Sequence, residues 1–354
     1  MQKAKKLRKQ LNKPGIIRIV GAHDGCSAKL VEMNGFDGVW ASGLEISTSY
    51  ALPDANILTM SQYLEAAKVM NEAVSIPVIA DCDNGYGNSN NVIYMVKKYE
   101  AAGIAAVCIE DKQFPKVNSF IGGRQELTSI PEFVGKIMAA KNAQESEDFT
   151  VIARVESLIS GAGLVESLRR AHAYVVAGAD AILIHSKSKT PDEVIEFIKA
   201  WDNSAPIVVV PTTYYDIKVD ELAQLGVKMV IYANHGIRAS IRATHEIFAE
   251  IYRCGTTAIV ESKIATMKDV FELQGMPQMK ENEKKYLRSD IEPAKTIILA
   301  AGDHGKELSI KILLEDLPAT MLDINGKSIL QRNIETLNQM GLQNIIVVRG
   351  FKKE

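Results

Sequence analysis

The chain has 354 residues, of which 47% are hydrophobic and 24% are charged, and its formal net charge is −2 at pH 7. This composition is typical of a globular protein, and the nearly balanced charge argues against nucleic acid or an anionic membrane as a partner. The sequence contains neither an apolar run of about 18 residues nor a signal-peptide core, so we expect a cytoplasmic protein. Its four cysteines lack paired spacing and are expected to be reduced thiols.

The first predicted element is a short basic helix over residues 3–12. Leu7 and Leu11, four positions apart, give this helix one apolar edge. We expect a solvated helix that rests on a larger domain, and an interaction arm is the alternative.

Eight apolar runs follow this helix and predict buried strands. Each run is nearly continuous in apolar residues and ends in polar ones, a pattern typical of parallel strands that are covered on both faces. The runs span residues 16–23, 36–42, 76–83, 105–111, 149–156, 179–186, 206–213 and 228–235.

Helical patterns separate most of the runs. Thr59, Ser129 and Thr190 each begin a capping box, and Pro191 is expected at the first helical position of its helix. Helix-ending glycines recur before every second strand, at Gly35, Gly103, Gly178 and Gly226. Eight strands with intervening helices predict an α/β protein built on a (β/α)₈ TIM barrel, and a doubly wound parallel sheet is the alternative.

The barrel is expected to occupy residues 1–275. Residues 276–294 are charged and poor in apolar side chains, which indicates a linker. Residues 295–354 begin with a strand-like run and a glycine-containing loop. They predict a partial, Rossmann-like α/β segment that is too small to bury much of a core alone.

Carboxylates are concentrated where the third and fourth runs end. Asp81 and Asp83 follow the run IPVIA, and the alternation of side chains along a strand predicts that both point the same way. Two buried carboxylates that repel each other are tolerated when a cation lies between them. Glu110 ends the neighbouring strand, and an all-oxygen ligand set favours Mg²⁺. The alternative is that these carboxylates are helix caps or surface residues.

The connection over residues 112–127 is much longer than the roughly 2–6 residues usual before a barrel helix. We predict a lid that closes on an anion, because the connection offers the polar side chains Lys116, Asn118, Ser119 and Arg124. Gly122-Gly123 is the expected hinge of this lid, and a mobile surface loop is the alternative.

Further polar groups follow other strands on the same rim. Arg154 presents a fork that suits a carboxylate or phosphate, and a salt bridge to a rim carboxylate is its alternative role. Ser42-Gly43-Leu44 offers backbone N–H groups and a hydroxyl to an anion. Asp54 and His185 are additional candidates, and a purely structural role is the alternative for His185.

Together these residues resemble the phosphoenolpyruvate mutase family of the isocitrate lyase/phosphoenolpyruvate mutase superfamily, over roughly residues 14–275. The motifs that carry the resemblance are VWASGLEIS, ALPDAN, ADCDNGYG and EDKQFPKVNS. The resemblance implies a TIM barrel that exchanges its last helix with a partner, forming homodimers and homotetramers. It also implies an isomerase that uses Mg²⁺ to interconvert phosphoenolpyruvate and phosphonopyruvate, the first step of phosphonate biosynthesis.

The resemblance further implies a role for each matching residue. Asp81 matches a direct metal ligand, whereas Asp83 and Glu110 match residues that act on the metal through water. Asp54 matches an essential acid beside the migrating group, and Arg154 matches a phosphoryl or carboxylate clamp. The remaining matches are His185 as a rim partner, the substrate-binding residues Trp40, Ser42, Gly43 and Leu44, and the lid residues Lys116, Asn118 and Ser119.

The lid also separates the chemistries of the superfamily. The lyases are expected to carry a Lys-Lys/Arg-Cys-Gly-His loop with a reactive cysteine, whereas this chain has FPKVNS and no cysteine in residues 112–127. A phosphonopyruvate hydrolase is closer, but the similar mutases carry the asparagine found here at Asn118. A mutase is therefore expected, and the alternatives are a hydrolase or lyase of the same fold and a non-catalytic metabolite-binding barrel.

The tail resembles the start of a nucleotidyltransferase domain. That family has a G-x-G-x-R-L loop and a later Pro-Lys pair, whereas this chain has Gly302-Asp303-His304-Gly305-Lys306 and then Pro318 followed by Ala319. These departures predict weak triphosphate binding, and we expect no nucleotidyltransferase activity from the segment.

Overall fold

The computed structural model describes residues 2–287, 296–300 and 318–349. The chain divides into two compact units, Met1–Leu273 and Gln274–Glu354. The first unit contains a closed barrel of eight parallel strands, in which each strand pairs with the next and the last pairs with the first. The predicted TIM barrel is confirmed, and the doubly wound alternative is wrong.

Each predicted run contains one strand of the barrel, except that the eighth strand begins one residue before its run. The long runs of β-branched and other apolar residues suit strands that the barrel interior and the outer helices cover on both faces. The strands are β1 (Ile17–Ala22), β2 (Gly38–Ala41), β3 (Val78–Asp81), β4 (Ala106–Glu110), β5 (Thr150–Val155), β6 (Ala181–Ile184), β7 (Ile207–Val209) and β8 (Val227–Tyr232).

Helices connect the strands and cover the outside of the barrel. The helices of this part of the chain are α1 (Gln2–Leu11), α2 (Gly25–Met33), α3 (Gly43–Ser49), α4 (Met60–Ala73), α5 (Ser89–Ala101), α6 (Ile130–Ala143), α7 (Ser157–Ser160), α8 (Gly163–Val176), α9 (Asp192–Ala200), α10 (Val219–Gln224), α11 (His235–Cys254) and α12 (Met267–Gln274). Thr59 and Ser129 are the N-caps of α4 and α6, as predicted. Helix α9 begins at Asp192 with Pro191 as its N-cap, so the predicted Thr190 capping box and the first helical position predicted for Pro191 are wrong; the Thr190 hydroxyl donates to the Asp192 carboxylate at 2.7 Å.

The glycines before the even-numbered strands confirm the predicted turns. Gly35, Gly103, Gly178 and Gly226 have φ angles of +77°, +79°, +104° and +91°, which residues with a side chain rarely adopt. The four turns reverse the chain from a helix into the next strand at equivalent places in the barrel.

Helix α1 closes the end of the barrel at which the strands begin. Leu7 and Leu11 are buried in the same apolar cluster as the side chains that fill the barrel interior. On the same helix, Arg8 donates to the Phe149 carbonyl and pairs with Asp180, both at 2.8 Å, just before β5 and β6. The expectation of a helix resting on the barrel is therefore confirmed.

The second unit is described over residues 274–287, 296–300 and 318–349. It contains α13 (Met276–Tyr286), β9 (Thr296–Leu299), β10 (Asp323–Ile324), β11 (Lys327–Ser328), α14 (Ile329–Gln339) and β12 (Ile345–Val348), with β9 and β12 paired in parallel. The stretch predicted as a linker thus begins with a helix, which its composition did not predict. The glycine loop at residues 302–306 lies outside the described residues. In the three described ranges, no helix is long and apolar enough to cross a membrane.

Candidate active site

Most of the predicted site residues line one pocket at the carboxyl ends of the barrel strands, where chemistry is expected in this fold. The predicted residues in its wall are Trp40, Ser42, Leu44, Asp54, Asp81, Lys116, Asn118, Ser119, Arg154 and His185. Three further predicted residues lie next to this wall and contact it directly: Gly43 bonds Asp81, Asp83 pairs with Lys116, and Glu110 lies near Arg154.

Asp81 and Asp83 approach each other beside Gly43, although not for the reason that the sequence suggested. Strand β3 ends at Asp81, and Asp83 has a φ of +48°, so simple strand alternation does not extend to it. A Cβ atom on Gly43 would lie 3.3 Å from a carboxylate oxygen of each aspartate. The absence of a side chain at Gly43 therefore leaves room beside both carboxylates.

Asp81 is the carboxylate with the weakest protein contacts. Within the described residues, it accepts two long hydrogen bonds, both at 3.4 Å, from the backbone N–H groups of Gly43 and Asp83. Burial raises its pKa, since a low-dielectric surrounding disfavours the charged form. A carboxylate in this condition is suited to hold a cation directly.

Glu110 also has an oxygen available. Its Oε2 lies 3.4 Å from Nε of Arg154, while its buried Oε1 has no hydrogen-bond partner among the described residues. In the part of the chain that the structure describes, no three His, Cys, Asp or Glu side chains are close enough to enclose a metal. The oxygen-only donor set fits Mg²⁺ held by one carboxylate and several waters, which is the usual coordination of this ion.

The lid over residues 112–127 is closed on the pocket. Lys116 is buried, and its ammonium lies 2.9 Å from Asp54 Oδ1 and 2.6 Å from Asp83 Oδ1. Asn118 Nδ2 donates to Asp54 Oδ2 at 2.8 Å. Two lid residues thus converge on one carboxylate, and Lys116 also reaches Asp83.

These contacts set the charges of the lid cluster. Burial opposes the charge of Asp54, but Lys116, the hydrogen bond from Asn118 and the more distant Arg154 outweigh it and lower the pKa of Asp54. Burial raises the pKa of Asp83 to about 8, despite the opposing effect of Lys116. A bound cation would favour the charged form of Asp83, which this surrounding disfavours.

Glu156 is the residue that joins the lid to the barrel, and the sequence analysis assigned it no role. Its Oε2 accepts from Ser119 Oγ at 2.7 Å and lies 3.3 Å from Nζ of Lys112. Its Oε1 is paired with Arg154 Nε and lies 2.8 Å from Nδ1 of His185. Arg154 therefore makes the rim salt bridges that were its alternative role, and it still lines the pocket.

His185 is a neutral member of this cluster. Burial and the adjacent Arg154 cation lower the pKa of His185. Its Nδ1 lies 2.8 Å from both Arg154 Nη2 and Glu156 Oε1, so the ring tautomer decides which of them it bonds. In either tautomer, Glu156 Oε1 remains paired with Nε of Arg154, which lines the pocket.

Other residues near the pocket were also missed. Asn56 donates to Asp83 Oδ2 at 2.8 Å and accepts from the backbone N–H of Lys116 at 2.6 Å, which fastens the lid to the loop after β2. The quoted motif ALPDAN contains this asparagine, but only its aspartate was assigned a role. The pocket wall also includes Phe120, Val210, Thr212, Ala233 and Asn234.

One detail of the predicted lid is wrong. Arg124 is exposed and donates to the Pro115 carbonyl at 2.9 Å, so its charge is used within the lid and not in the pocket. Gly122 and Gly123 lie at the exposed part of the loop, where added Cβ atoms would meet nothing within 4 Å. Their role as a hinge stays a prediction.

The sequence model of the phosphoenolpyruvate phosphomutase family matches residues 7–252, which include the whole barrel and every residue of the pocket wall. The chain belongs to this family. The family membership agrees with the resemblance found in the sequence, and the closed barrel agrees with the fold that it implied.

Similar proteins within the superfamily have more than one activity. A phosphoenolpyruvate phosphomutase from Tetrahymena pyriformis is 47% identical over 287 residues, which are 81% of this chain and 96% of that protein. The crystal structure of a phosphoenolpyruvate phosphomutase from Streptomyces platensis subsp. rosaceus is 57% identical, with a TM-score of 0.80, and the match covers 80% of this chain and 99% of that one. A phosphonopyruvate hydrolase crystallised with oxalate and Mg²⁺ is 49% identical, with a TM-score of 0.78, and the match covers 81% of this chain and 100% of that one.

Proposed function

We propose that this protein is a phosphoenolpyruvate mutase, an isomerase that interconverts phosphoenolpyruvate and phosphonopyruvate. The observation that carries the proposal is the 2.8 Å hydrogen bond from Asn118 of the closed lid to Asp54 in the pocket. The amide of Asn118 cannot take a proton from water, and its bond occupies the Asp54 oxygen that it meets. The lid therefore covers the pocket without supplying a base that would activate water.

The chain's own residues suit the transfer of a phosphoryl group within one bound molecule. The phosphorus–oxygen bond of phosphoenolpyruvate breaks, the pyruvate enolate keeps the electron pair, and its third carbon then forms the phosphorus–carbon bond. Arg154 is placed to hold the oxygens of the migrating group, whose charge is spread over three atoms. Ser42-Gly43-Leu44 would supply further donors, and Asp54, which lines the same pocket, would lie beside the group that moves.

The site fits Mg²⁺, with Asp81 as the direct ligand and Asp83 and Glu110 acting through water. When bound, the ion supplies Lewis-acid stabilisation of the negative charge on the enolate. The lid residues meanwhile exclude bulk water from the pocket. Exclusion matters because a metaphosphate-like group that meets water gives phosphate instead of the isomer.

Phosphorus NMR of the protein with phosphonopyruvate and Mg²⁺ tests the proposal. The expected product is phosphoenolpyruvate, with no change in total organic phosphorus. Formation of inorganic phosphate and pyruvate would instead identify a phosphonopyruvate hydrolase, the second candidate, which the 49% identity to a hydrolase of that name supports. An unchanged spectrum would contradict both candidates and leave a metabolite-binding barrel.

We also propose that two copies of the chain associate by exchanging helix α11. Of its twenty residues, all within the described part of the chain, Ile237 alone is buried. Three large side chains of this helix are exposed, Ile241, Phe248 and Tyr252, and Tyr252 keeps 94% of its surface accessible.

Light scattering is expected to give a mass of at least twice the chain mass of 38.8 kDa, and Phe248→Asp is expected to lower the measured mass. A monomer at micromolar concentration would contradict the exchange.

A further inference from the structure

A buried polar cluster lies at the base of the lid, outside the set of residues that line the pocket. Its centre is Asp111, which directly follows β4 and is fully buried. Asp111 Oδ2 accepts from Nη1 of Arg170 at 3.0 Å and from the hydroxyl of Tyr174 at 2.7 Å. Both donors belong to α8, so this helix holds the residue at which the lid begins.

Arg170 holds the other end of the lid as well. Its Nη1 donates to the carbonyl of Thr128 at 2.9 Å, one residue after the lid ends. The two ends also bond each other, because Thr128 N–H donates to the Asp111 carbonyl at 2.9 Å and Lys112 pairs with Leu127 in a short antiparallel bridge. A single guanidinium nitrogen thus fastens both ends of the loop to one helix.

The same cluster reaches the residue that clamps the closed lid. Asp111 Oδ1 accepts from the backbone N–H of Glu156 at 2.8 Å. Glu156 in turn accepts from Ser119 of the lid and pairs with Arg154 in the pocket wall. A shift of Asp111 would therefore move the base of the lid and the peptide of Glu156 together.

We propose that Arg170 and Tyr174 are positioning residues that hold the lid in its closed geometry and thereby decide whether the phosphoryl group is transferred or lost to water. This inference rests on the proposed mutase function for its chemical outcome. Neither residue touches the pocket, and both act through Asp111 and Thr128. Loosening the base would let the lid open more often, and each opening admits water to the migrating group.

Of the described residues, Arg170 alone connects the residues at both lid ends, Asp111 and Thr128, to helix α8 through its guanidinium. A guanidinium has several donors in a fixed plane, so Arg170 can bond Asp111, Thr128 and Glu166 at the same time. We call the bonds of Arg170 and Tyr174 with Asp111, together with that of Arg170 with Thr128, the joint of the lid. A lysine at this position keeps the charge that Asp111 needs, but its side chain is one bond shorter than the path to Nη1, so its ammonium cannot reach both Asp111 and Thr128. Arg170→Lys therefore weakens this joint but keeps a positive charge near the buried Asp111 carboxylate.

Trypsin cleavage measures the opening of the lid without reference to activity. The lid contains two buried trypsin sites, Lys112 and Lys116, which are cleaved only when the lid opens, and the exposed Arg124, which is accessible in the closed lid. In Arg170→Lys, cleavage after Lys112 and Lys116 is expected to be about tenfold faster, the effect of losing one hydrogen bond to a charged group. Tyr174→Phe removes one bond of the joint and is expected to show a smaller increase of the same kind.

Arg169→Lys is the matched control on the same helix. Arg169 is exposed and pairs with Glu166, away from the lid, and its replacement keeps the number of tryptic sites unchanged. This variant is expected to keep the native cleavage rate. Thermal melting of all three variants shows whether any change in cleavage reflects the lid or the whole fold.

The product ratio then tests the chemical consequence. With phosphonopyruvate and Mg²⁺, Arg170→Lys is expected to raise the ratio of inorganic phosphate to phosphoenolpyruvate by about tenfold, in step with lid opening. A native ratio together with native lid cleavage would overturn the inference, as would cleavage spread over the whole chain with a lowered melting temperature. If the native protein forms no phosphoenolpyruvate, the proposed function fails, while the cleavage comparison still decides whether the joint holds the lid. If Arg170→Lys does not fold, Tyr174→Phe decides both points.

Discussion

Replacing Asp54 with alanine is expected to lower kcat for phosphonopyruvate on the order of a thousandfold, the scale of losing a group that acts on the reacting atoms. Asp54 bonds two of the lid residues in the pocket wall, Lys116 at 2.9 Å and Asn118 at 2.8 Å. Without the Asp54 carboxylate, Asp83 is the one close anionic partner of the Lys116 ammonium among the described residues. A steady-state assay of phosphoenolpyruvate formation measures the loss.

Asp54→Asn separates the charge of this residue from its shape. The amide preserves the volume of the side chain but cannot pair with Lys116 as an anion, so most of the loss in kcat is expected to remain. The melting temperature of each variant should stay close to that of the native protein, which would locate the effect in the reaction. Near-native turnover by Asp54→Ala would remove Asp54 from the mechanism.

The second large effect is expected at the carboxylates proposed to hold Mg²⁺. Asp81→Asn should raise the Mg²⁺ concentration for half-maximal activity by more than about 100-fold, whereas Asp83→Asn and Glu110→Gln should raise it by about tenfold. The order follows from the contacts: Asp81 has only long backbone hydrogen bonds, Asp83 is already paired with Lys116, and Glu110 lies near Arg154.

Mg²⁺ titrations of activity, together with calorimetric titration of each variant with Mg²⁺, measure these shifts. The second method reports binding even in a variant that turns over slowly. Chelation of the native protein with EDTA should abolish turnover, and added Mg²⁺ should restore it. Equal shifts of the required Mg²⁺ concentration in the three variants would contradict the assignment of Asp81 as the direct ligand.

The barrel was predictable because its signal is repeated along the chain. Eight apolar runs and four glycine turns each specify one local structure, and together they leave few architectures. The carboxyl ends of parallel barrel strands meet at one rim. This rule alone predicted, without any side-chain contact, that one rim carries Asp81, Glu110, Arg154 and His185. The lid was recognisable because its length is unusual for a barrel connection.

The missed features depend on contacts that no local pattern records. Glu156 was recognised only as a polar strand end, because its importance comes from partners at residues 112, 119 and 185. Arg170 lies four residues after Glu166, which is the spacing of an ordinary surface ion pair on a helix. The positive φ of Asp83 likewise follows from how the chain leaves β3, and its residue type alone does not require it.

Helix α1 limits the routes by which small molecules can enter and leave the barrel. Because α1 seals the far end of the barrel and side chains fill the interior, the described barrel opens to solvent at the lid end. Substrate, product and water must then pass through the same opening, at the lid end of the barrel. For the proposed mutase, a lid that opens faster would speed product release and also increase loss of the phosphoryl group to water, so turnover rate and product fidelity would oppose each other.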